Sequence, residues 1–316
     1  MIAFIARRLL FAVVLVFAVS SASLLLSRLA PGDYATESLD VGTRRETIER
    51  TRARYGLDRP IGAQYRDWLS AALRLDFGRS LAYDRPVADL VPERAANTAL
   101  LAVSALLVAT LIGLPLGVIS GSRRSGFFPG LVRIVSLILV SMPHLLTALF
   151  LVFAAAVTGW APLGGMRSLD ATGGGMTPDL VRHMLVPVLA LALPVAATFE
   201  RLQAQAVGEV LEQPYVLATI ARGVPRRRVV WRDALKAALR PIASMYGLVI
   251  GTLLGGSFVV EMVTSWPGLG RLMLDALRAR DVYLVAGCAA AGAFFLAAGT
   301  LVSDLVLACV DPRAVE

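Results

Sequence analysis

Residues 95–122, AANTALLAVSALLVATLIGLPLGVISGS, contain no charged side chain. A helix needs about 20 apolar residues to cross the hydrocarbon core of a bilayer, so this run predicts a membrane-spanning helix. The whole chain shares the bias, since 57% of its 316 residues are hydrophobic and 17% are charged. A soluble domain carries about a quarter charged residues. The composition therefore predicts a membrane protein.

Uncharged runs elsewhere predict an all-α, polytopic membrane protein with six transmembrane helices. The run that begins at Met184 is interrupted by Glu200 and Arg201, so its helix must continue through Val207 to cross. A signal peptide is the alternative for the first run, but its apolar core is longer than the usual 7–15 residues or so. With 95–122 second in order, the other runs are 9–27, 134–166, 184–199, 241–260 and 282–303.

The placement of arginine predicts the orientation of the chain. Arginines precede the first run, follow the second at Arg123 and Arg124, and are densest between the fourth and fifth. The positive-inside rule places these segments and both termini in the cytoplasm. The expected parts are the N-terminus and first span, 1–30, an extracytoplasmic segment, 31–94, and a core domain, 95–316, with a cytoplasmic loop, 206–240.

The external segment 31–94 has eleven arginines and eleven acidic residues, and we expect it to form an ordered cap with two short helices. Residues 43–55 are charged at helical spacing and predict the first helix. A second external loop, 167–182, should be more flexible because glycines 173–175 are consecutive. The apolar face of the second short helix is expected to contain Tyr65, Trp68, Leu69 and Leu73.

The residues that usually carry chemistry are sparse. A nucleotide-binding P-loop ends in Gly-Lys-Ser/Thr, whereas the only lysine, Lys236, lies in Ala-Leu-Lys-Ala. His144 and His183 lack a second histidine or paired carboxylates at catalytic spacing, and Cys288 and Cys309 are far apart. The net charge of +8 comes from arginines between apolar runs, which argues against a nucleic-acid partner. We expect no catalytic site, cofactor or metal in this chain.

Four charged residues lie in or at the edges of the predicted spans. Charges there are costly and usually face the bundle interior or water. A substrate or proton path is one interpretation, and structural pairing, which we favour, is the other. These residues are Glu200, Arg201, Glu261 and Asp304.

Residues 209–241, EVLEQPYVLATIARGVPRRRVVWRDALKAALRP, form the most informative loop. Pro214 suits the first turn of a helix, and Gly223 can end that helix in a left-handed conformation. Val224 precedes Pro225 and therefore avoids the helical region. The pattern predicts a short helix, a glycine break and a basic elbow before the next span. Both an interfacial helix and a helix that docks in a partner's groove fit it.

This loop resembles the coupling-loop (EAA) motif of binding-protein-dependent ATP-binding-cassette importers, in the version found in dipeptide/oligopeptide/nickel permeases. The chain departs from that version at residues 217–220, at Asp233 and at Ala204. The long segment after the first span resembles the first of the two permeases in such systems. The loop residues in register are Glu209, Val210, Leu211, Tyr215, Val216, Ala221, Gly223, Ala234, Leu235 and Pro241. Further matching stretches are 7–10, 29–33, 55–60, 64–65, 68–69, 76–80, 266–270, 280–281 and 311–313.

The resemblance implies a permease subunit of the type I importer fold in the bacterial inner membrane, translocating di- or oligopeptides. Import of a nickel chelate or another small solute is the alternative, and a stand-alone proton-coupled transporter using Glu261 or Asp304 is a further one. The implied partners are a homologous second permease, two cytoplasmic ATPases that carry ATP and Mg²⁺, an extracytoplasmic substrate-binding protein and the lipid bilayer. The residues expected at the ATPase contact are Glu209, Tyr215, Ala218, Thr219, Arg222 and Gly223.

Overall fold

The computed structural model describes residues 2–37, 45–123, 125–168 and 177–310, and within these ranges it contains helices but no named strand. The expected all-α class is confirmed. Only the backbone is described for residues 2–5, 37, 45 and 306–310. The expectations for Arg124, glycines 173–175, the Cys309 side chain and residues 311–313 lie outside the described part.

The helices follow the predicted runs closely. The first long helix starts before the first run, and the second starts well before residue 95, at Val87. In chain order the helices are α1 (Ile2–Leu29), α2 (Tyr34–Glu37), α3 (Arg45–Arg54), α4 (Ile61–Ala72), α5 (Val87–Ser122), α6 (Phe127–Ser141), α7 (His144–Thr158), α8 (Pro178–Leu211), α9 (Pro214–Ala221), α10 (Arg226–Arg228), a π-helical turn (Val229–Ala234), α11 (Leu235–Val263), α12 (Leu269–Arg278) and α13 (Val282–Val310).

Five helical segments of the described chain are long and apolar enough to cross a membrane, and the pair α6 and α7 makes a sixth if it counts as one span. That pair is bent by 110°, so the third predicted span, 134–166, is broken rather than one continuous helix. The break occurs because Met142, at φ −87° and ψ 121°, is extended, as residues before proline usually are. The helix over 184–199 does continue through Val207, as expected.

The chain divides into two compact units. Unit 1 comprises Met1–Ala99 with Pro267–Ala298, and unit 2 comprises Leu100–Trp266 with Gly299–Glu316. Helices α5 and α13 each contribute residues to both units.

In unit 1, the short helix α4 packs against α1. Trp68 is buried in a cluster with Leu24 of α1 and Ala286 of α13, and the Tyr65 hydroxyl donates to Ser21 Oγ at 3.1 Å. Tyr65 and Trp68 therefore lie on the packed face, as predicted. Leu73 does not, because it follows the last residue of α4 and is 69% exposed.

A buried carboxylate fastens the turn after α4 to the start of α13, also within unit 1. Asp281 is fully buried and accepts hydrogen bonds from Ser80 Oγ at 2.6 Å and from the Ala82 amide at 3.0 Å. Its second oxygen accepts from the Leu284 amide at 3.1 Å, in the first turn of α13. Asp281 therefore satisfies amides at a helix start and holds a distant turn at once.

In unit 2, α8 is the central helix, in contact with α6, α7 and α11. The second half of α5 lies against it through three glycines spaced four residues apart. A Cβ added to Gly113 would lie 2.5 Å from the Ala196 carbonyl oxygen, and one added to Gly117 would lie 2.6 Å from that of Glu200. Gly121 approaches Ala204 in the same way. The two helix backbones are therefore in direct contact, as in other small-residue helix interfaces.

We predict that Gly117→Ala lowers the midpoint of thermal unfolding. The added methyl group has no room against α8, and overpacking costs about 1–3 kcal/mol, which outweighs a gain of up to about 1 kcal/mol in helix propensity. Gly208→Ala is the matched control, because a Cβ at Gly208 on α8 meets nothing within 4 Å. The measurement is thermal unfolding of the purified protein in detergent. Equal midpoints for the two variants would contradict the close contact.

Candidate functional site

The loop after α8 folds into the short helix that the sequence predicts. Helix α8 ends at Leu211, and α9 begins at Pro214. Proline suits this first position because the N–H that it lacks would have no partner within the helix. Gln213 precedes it in an extended conformation, and its carbonyl oxygen accepts from the Leu217 amide at 3.1 Å. The chain thus turns away from α8 within two residues.

The end of α9 is a glycine stop. The Arg222 amide donates to the Ala218 carbonyl at 3.1 Å, and the Gly223 amide donates to that of Ile220 at 2.9 Å. Gly223 has φ +83°, in the left-handed region that favours glycine. Pro225 then precedes the short helix α10, so the chain cannot continue α9.

One side chain anchors α9 to the rest of unit 2. Val216 is 1% exposed, whereas the apolar residues beside it, Tyr215 and Leu217, are 53% and 52% exposed. Helix α9 contacts α8 and the π-helical turn. These two elements share a buried apolar cluster with α5 and α11, formed by Val118, Ala206, Val207, Val230 and Ala238. The helix therefore rests on a packed base and presents most of its surface outward.

Three of the predicted site residues lie together along one side of α9. Thr219 Oγ1 donates to the Tyr215 carbonyl at 2.8 Å, and the Arg222 guanidinium donates to Thr219 Oγ1 at 3.1 Å. Ala218 is exposed one residue away. Glu209 lies elsewhere, on α8, where its carboxylate accepts a hydrogen bond from the side-chain Nε2 of Gln205 at 2.9 Å.

The arrangement suits binding and not catalysis. The exposed surface of α9 combines Tyr215, Leu217 and Ile220 with the arginine at its end. From Pro214 to Arg232 the chain has five arginines and no acidic residue. Apolar side chains rimmed by positive charge are typical of a protein or membrane contact. Among the described residues, no three of the His, Cys, Asp and Glu side chains are grouped closely enough to hold a metal.

Two buried polar residues of the spans, Glu200 and His183, form hydrogen bonds within the protein. Glu200 is buried and accepts a hydrogen bond from the Ser120 hydroxyl rather than pairing with the adjacent Arg201, which is exposed. His183 bonds through Nδ1 to the Asp179 carbonyl at 2.9 Å on the same helix. His144 begins α7, directly after the break in the third span.

Sequence reasoning missed a cleft at that break. It has a volume of about 410 Å³ and lies within unit 2, where the non-helical backbone at Met142 and Pro143 faces α8 and α11. The Met-Pro pair inside an apolar run was the available signal, since proline interrupts helices. Irregular backbone within a membrane is tolerated where protein buries it or where it lines a cavity. The other lining residues include Ser141, His144, Pro194, Thr198, Met245 and Thr252.

Comparison with known families identifies the protein family of this chain. Residues 113–316 match the family described as binding-protein-dependent transport system inner membrane component, and residues 1–102 match the N-terminal part of such membrane components. The chain belongs to this family. It is a membrane permease component of ATP-binding-cassette importers, in which ATP hydrolysis takes place on separate subunits. The expected classes of partner, an ATPase and a substrate-binding protein, are those of the family.

Individual permeases are similar over almost the whole chain. The oligopeptide transport system permease protein AppB of Bacillus subtilis is 31% identical over 99% of each chain. A putative peptide permease protein of Brucella suis is 33% identical over 99% of each chain. The glutathione transport system permease protein GsiC of Shigella flexneri is 31% identical over 99% of this chain and 98% of its own.

We predict that Val216→Asp detaches α9 from its base, whereas Leu217→Asp leaves it in place. An unpaired carboxylate in the buried position costs several kcal/mol, while the exposed neighbour stays in water. Hydrogen exchange of the amides from 217 to 223 should become markedly faster in the first variant only. Comparable exchange in both variants would mean that Val216 is not the anchor.

Proposed function

We propose that this permease pairs with a homologous second permease to form the path of an importer that carries di- or oligopeptides across the bacterial inner membrane. The names of the oligopeptide and peptide permeases that are similar over almost the whole chain support a peptide substrate. The glutathione permease is in keeping with it, since glutathione is itself a tripeptide. A nickel chelate or another small solute is the alternative cargo.

The outward-facing helix α9, held by Val216 and ended by Gly223, is the observation that carries the proposal. In our proposal α9 sits in a groove of one of two cytoplasmic ATPases, which bind ATP and Mg²⁺, while this chain binds no cofactor. Tyr215, Ala218 and Arg222 form the contact, and Thr219 holds the arginine in place. Glu209 contributes from the end of α8.

The packing of unit 2 supports a mechanical role for this contact. Helix α9 rests on α8 and the π-helical turn, and the π-helical turn leads directly into α11. Both α8 and α11 also line the cleft at the break between α6 and α7. A displacement of α9 by the ATPase would therefore be passed to helices that border the cleft. Shifts of packed helices are a common way in which proteins switch between two conformations.

The proposed orientation places both termini and α9 in the cytoplasm, and the segment 31–94 outside. The arginine distribution supports it. We predict that a cysteine at position 66 reacts with an impermeant reagent from outside intact cells, and that one at position 228 reacts only after the cells are opened. Both positions carry exposed arginines, and Cys288 and Cys309 would first be replaced by serine. Labelling of position 66 only from inside would contradict the orientation.

Transport itself is the decisive measurement. Vesicles containing this chain, the second permease and the ATPases, supplied with binding protein and ATP, should take up a labelled peptide. We predict that Gly223→Val lowers this uptake about tenfold or more, because a β-branched residue fits poorly at φ +83°. Gly223→Asn should retain more activity, since asparagine tolerates the left-handed region.

Control experiments distinguish a loss of coupling to the ATPase from a folding defect and from a wrong choice of substrate. Gly208→Ala should leave uptake unchanged, because a Cβ at this position on α8 meets no atom within 4 Å. A Gly223→Val complex that inserts normally but captures less ATPase supports the coupling role, whereas unchanged uptake would refute it. Uptake of a nickel chelate instead of peptide would show that the alternative substrate is the right one. Uptake without any ATPase would favour a proton-coupled transporter.

A further inference from the structure

A basic cleft of about 760 Å³ lies within unit 2 where the end of α5 meets the start of the helical segment that leads into α11. It is separate from the outward face of α9. Three arginines and one tryptophan provide most of its lining, together with two serines and a valine. The lining residues are Ser122, Arg123, Ser125, Arg226, Arg227, Val230 and Trp231.

Among the described residues, no carboxylate balances the charge in this cleft. No acidic residue lines it, and in the described part of the chain no ion pair joins Arg123, Arg226 or Arg227 to a carboxylate. Arg226 donates to the Ser122 carbonyl at 3.0 Å at the end of α5. Arg133 donates to the carbonyls of Ser120 at 3.3 Å and Arg123 at 3.4 Å.

These bonds give the arginines different roles. Arg226 and Arg133 satisfy carbonyl oxygens at the C-terminal end of α5, which would otherwise attract cations. Arg123 and Arg227 line the cleft and form no ion pair within the described residues. Arginine binds an oxyanion well through its fork of N–H donors.

The position of the cleft along the spans indicates the source of that oxyanion. Ser122 is the last residue of one candidate span, and Arg226 is the first residue of another. Trp231 is exposed beside the cleft, and Phe127 and Phe128 are exposed at the start of α6, Phe127 by 89%. An exposed tryptophan at the end of a span is typical of the level of the lipid headgroups.

We propose that this cleft binds the phosphate of an anionic phospholipid. Arg123 and Arg227 contact the phosphate, Trp231 packs against the glycerol region, and Arg226 keeps the wall in place. Basic pockets between transmembrane helices are known to suit such headgroups. The site requires neither a transported substrate nor an ATPase, and it stands whether or not the proposed peptide cargo is right.

The test measures lipid retention by the purified full chain in detergent, by native mass spectrometry with added phosphatidylglycerol or phosphatidylcholine. Wild-type protein should retain phosphatidylglycerol in preference. In Arg123→Gln/Arg227→Gln its affinity should fall about thirtyfold, since each arginine near an anionic surface contributes about fivefold. Arg228→Gln is the matched control. It removes the same charge from an exposed neighbouring residue that does not line the cleft.

A single variant keeps the test valid if the double variant folds poorly. Arg227→Gln changes an exposed side chain and should weaken retention about fivefold. Equal losses in Arg227→Gln and Arg228→Gln would overturn the proposal, since general charge would then explain binding. Displacement of the lipid by millimolar inorganic phosphate would show a site for free phosphate instead. Unchanged lipid retention with loss of ATPase capture would show a protein contact and would also overturn it.

Discussion

The backbone contact between α5 and α8 in unit 2 is the constraint on which the arrangement of that unit depends. In a bilayer the lipid tails are as apolar as leucine, so helices gain little from hiding apolar side chains from lipid. Close packing of small residues replaces that driving force. Gly113, Gly117 and Gly121 leave no side chain on the contact row of α5, so the backbone of α8 can lie directly against it. The same proximity brings the Ser120 hydroxyl to the buried Glu200 carboxylate.

This contact gives α8 its role as a supporting element. Helix α8 runs unbroken from Pro178 to Leu211, and its last turns share a buried cluster with the end of α5, the π-helical turn and α11. The loop that follows is therefore not a free segment. Val216 is the buried side chain of α9, and most of the others are exposed. In the proposed coupling mechanism, a firm base below an exposed helix is the property that allows force to be transmitted.

The broken third span complements this packing. Each half, α6 and α7, has 15 residues, and the break at Met142 and Pro143 exposes backbone that a continuous helix would have hidden. Here that backbone faces a cleft shared with α8 and α11 rather than lipid. The exposed polar groups of a break are tolerable in such a place, and they supply hydrogen-bonding groups that a wall of straight helices would lack.

The sequence alone determined the features that depend on neighbours along the chain. An uncharged run long enough to cross lipid must be a helix, because lipid cannot bond to an open backbone. Pro214 and Gly223 fix the ends of α9 for equally local reasons. The periodicity of Tyr65 and Trp68 identified the packed face of α4, although it could not show that the helix stops before Leu73.

Only the tertiary structure decided which distant segments meet. Asp281 binds Ser80 across 201 residues, and Arg226 binds the Ser122 carbonyl across 104 residues. The basic cleft between 122 and 231 exists because of such contacts. Tertiary contacts also explain why the hydrogen-bond partner of Glu200 is Ser120 and not an arginine. Local pattern carries no information about these pairs, because they result from how closely distant segments approach one another. For Ser120 and Glu200, the glycines on α5 permit that approach.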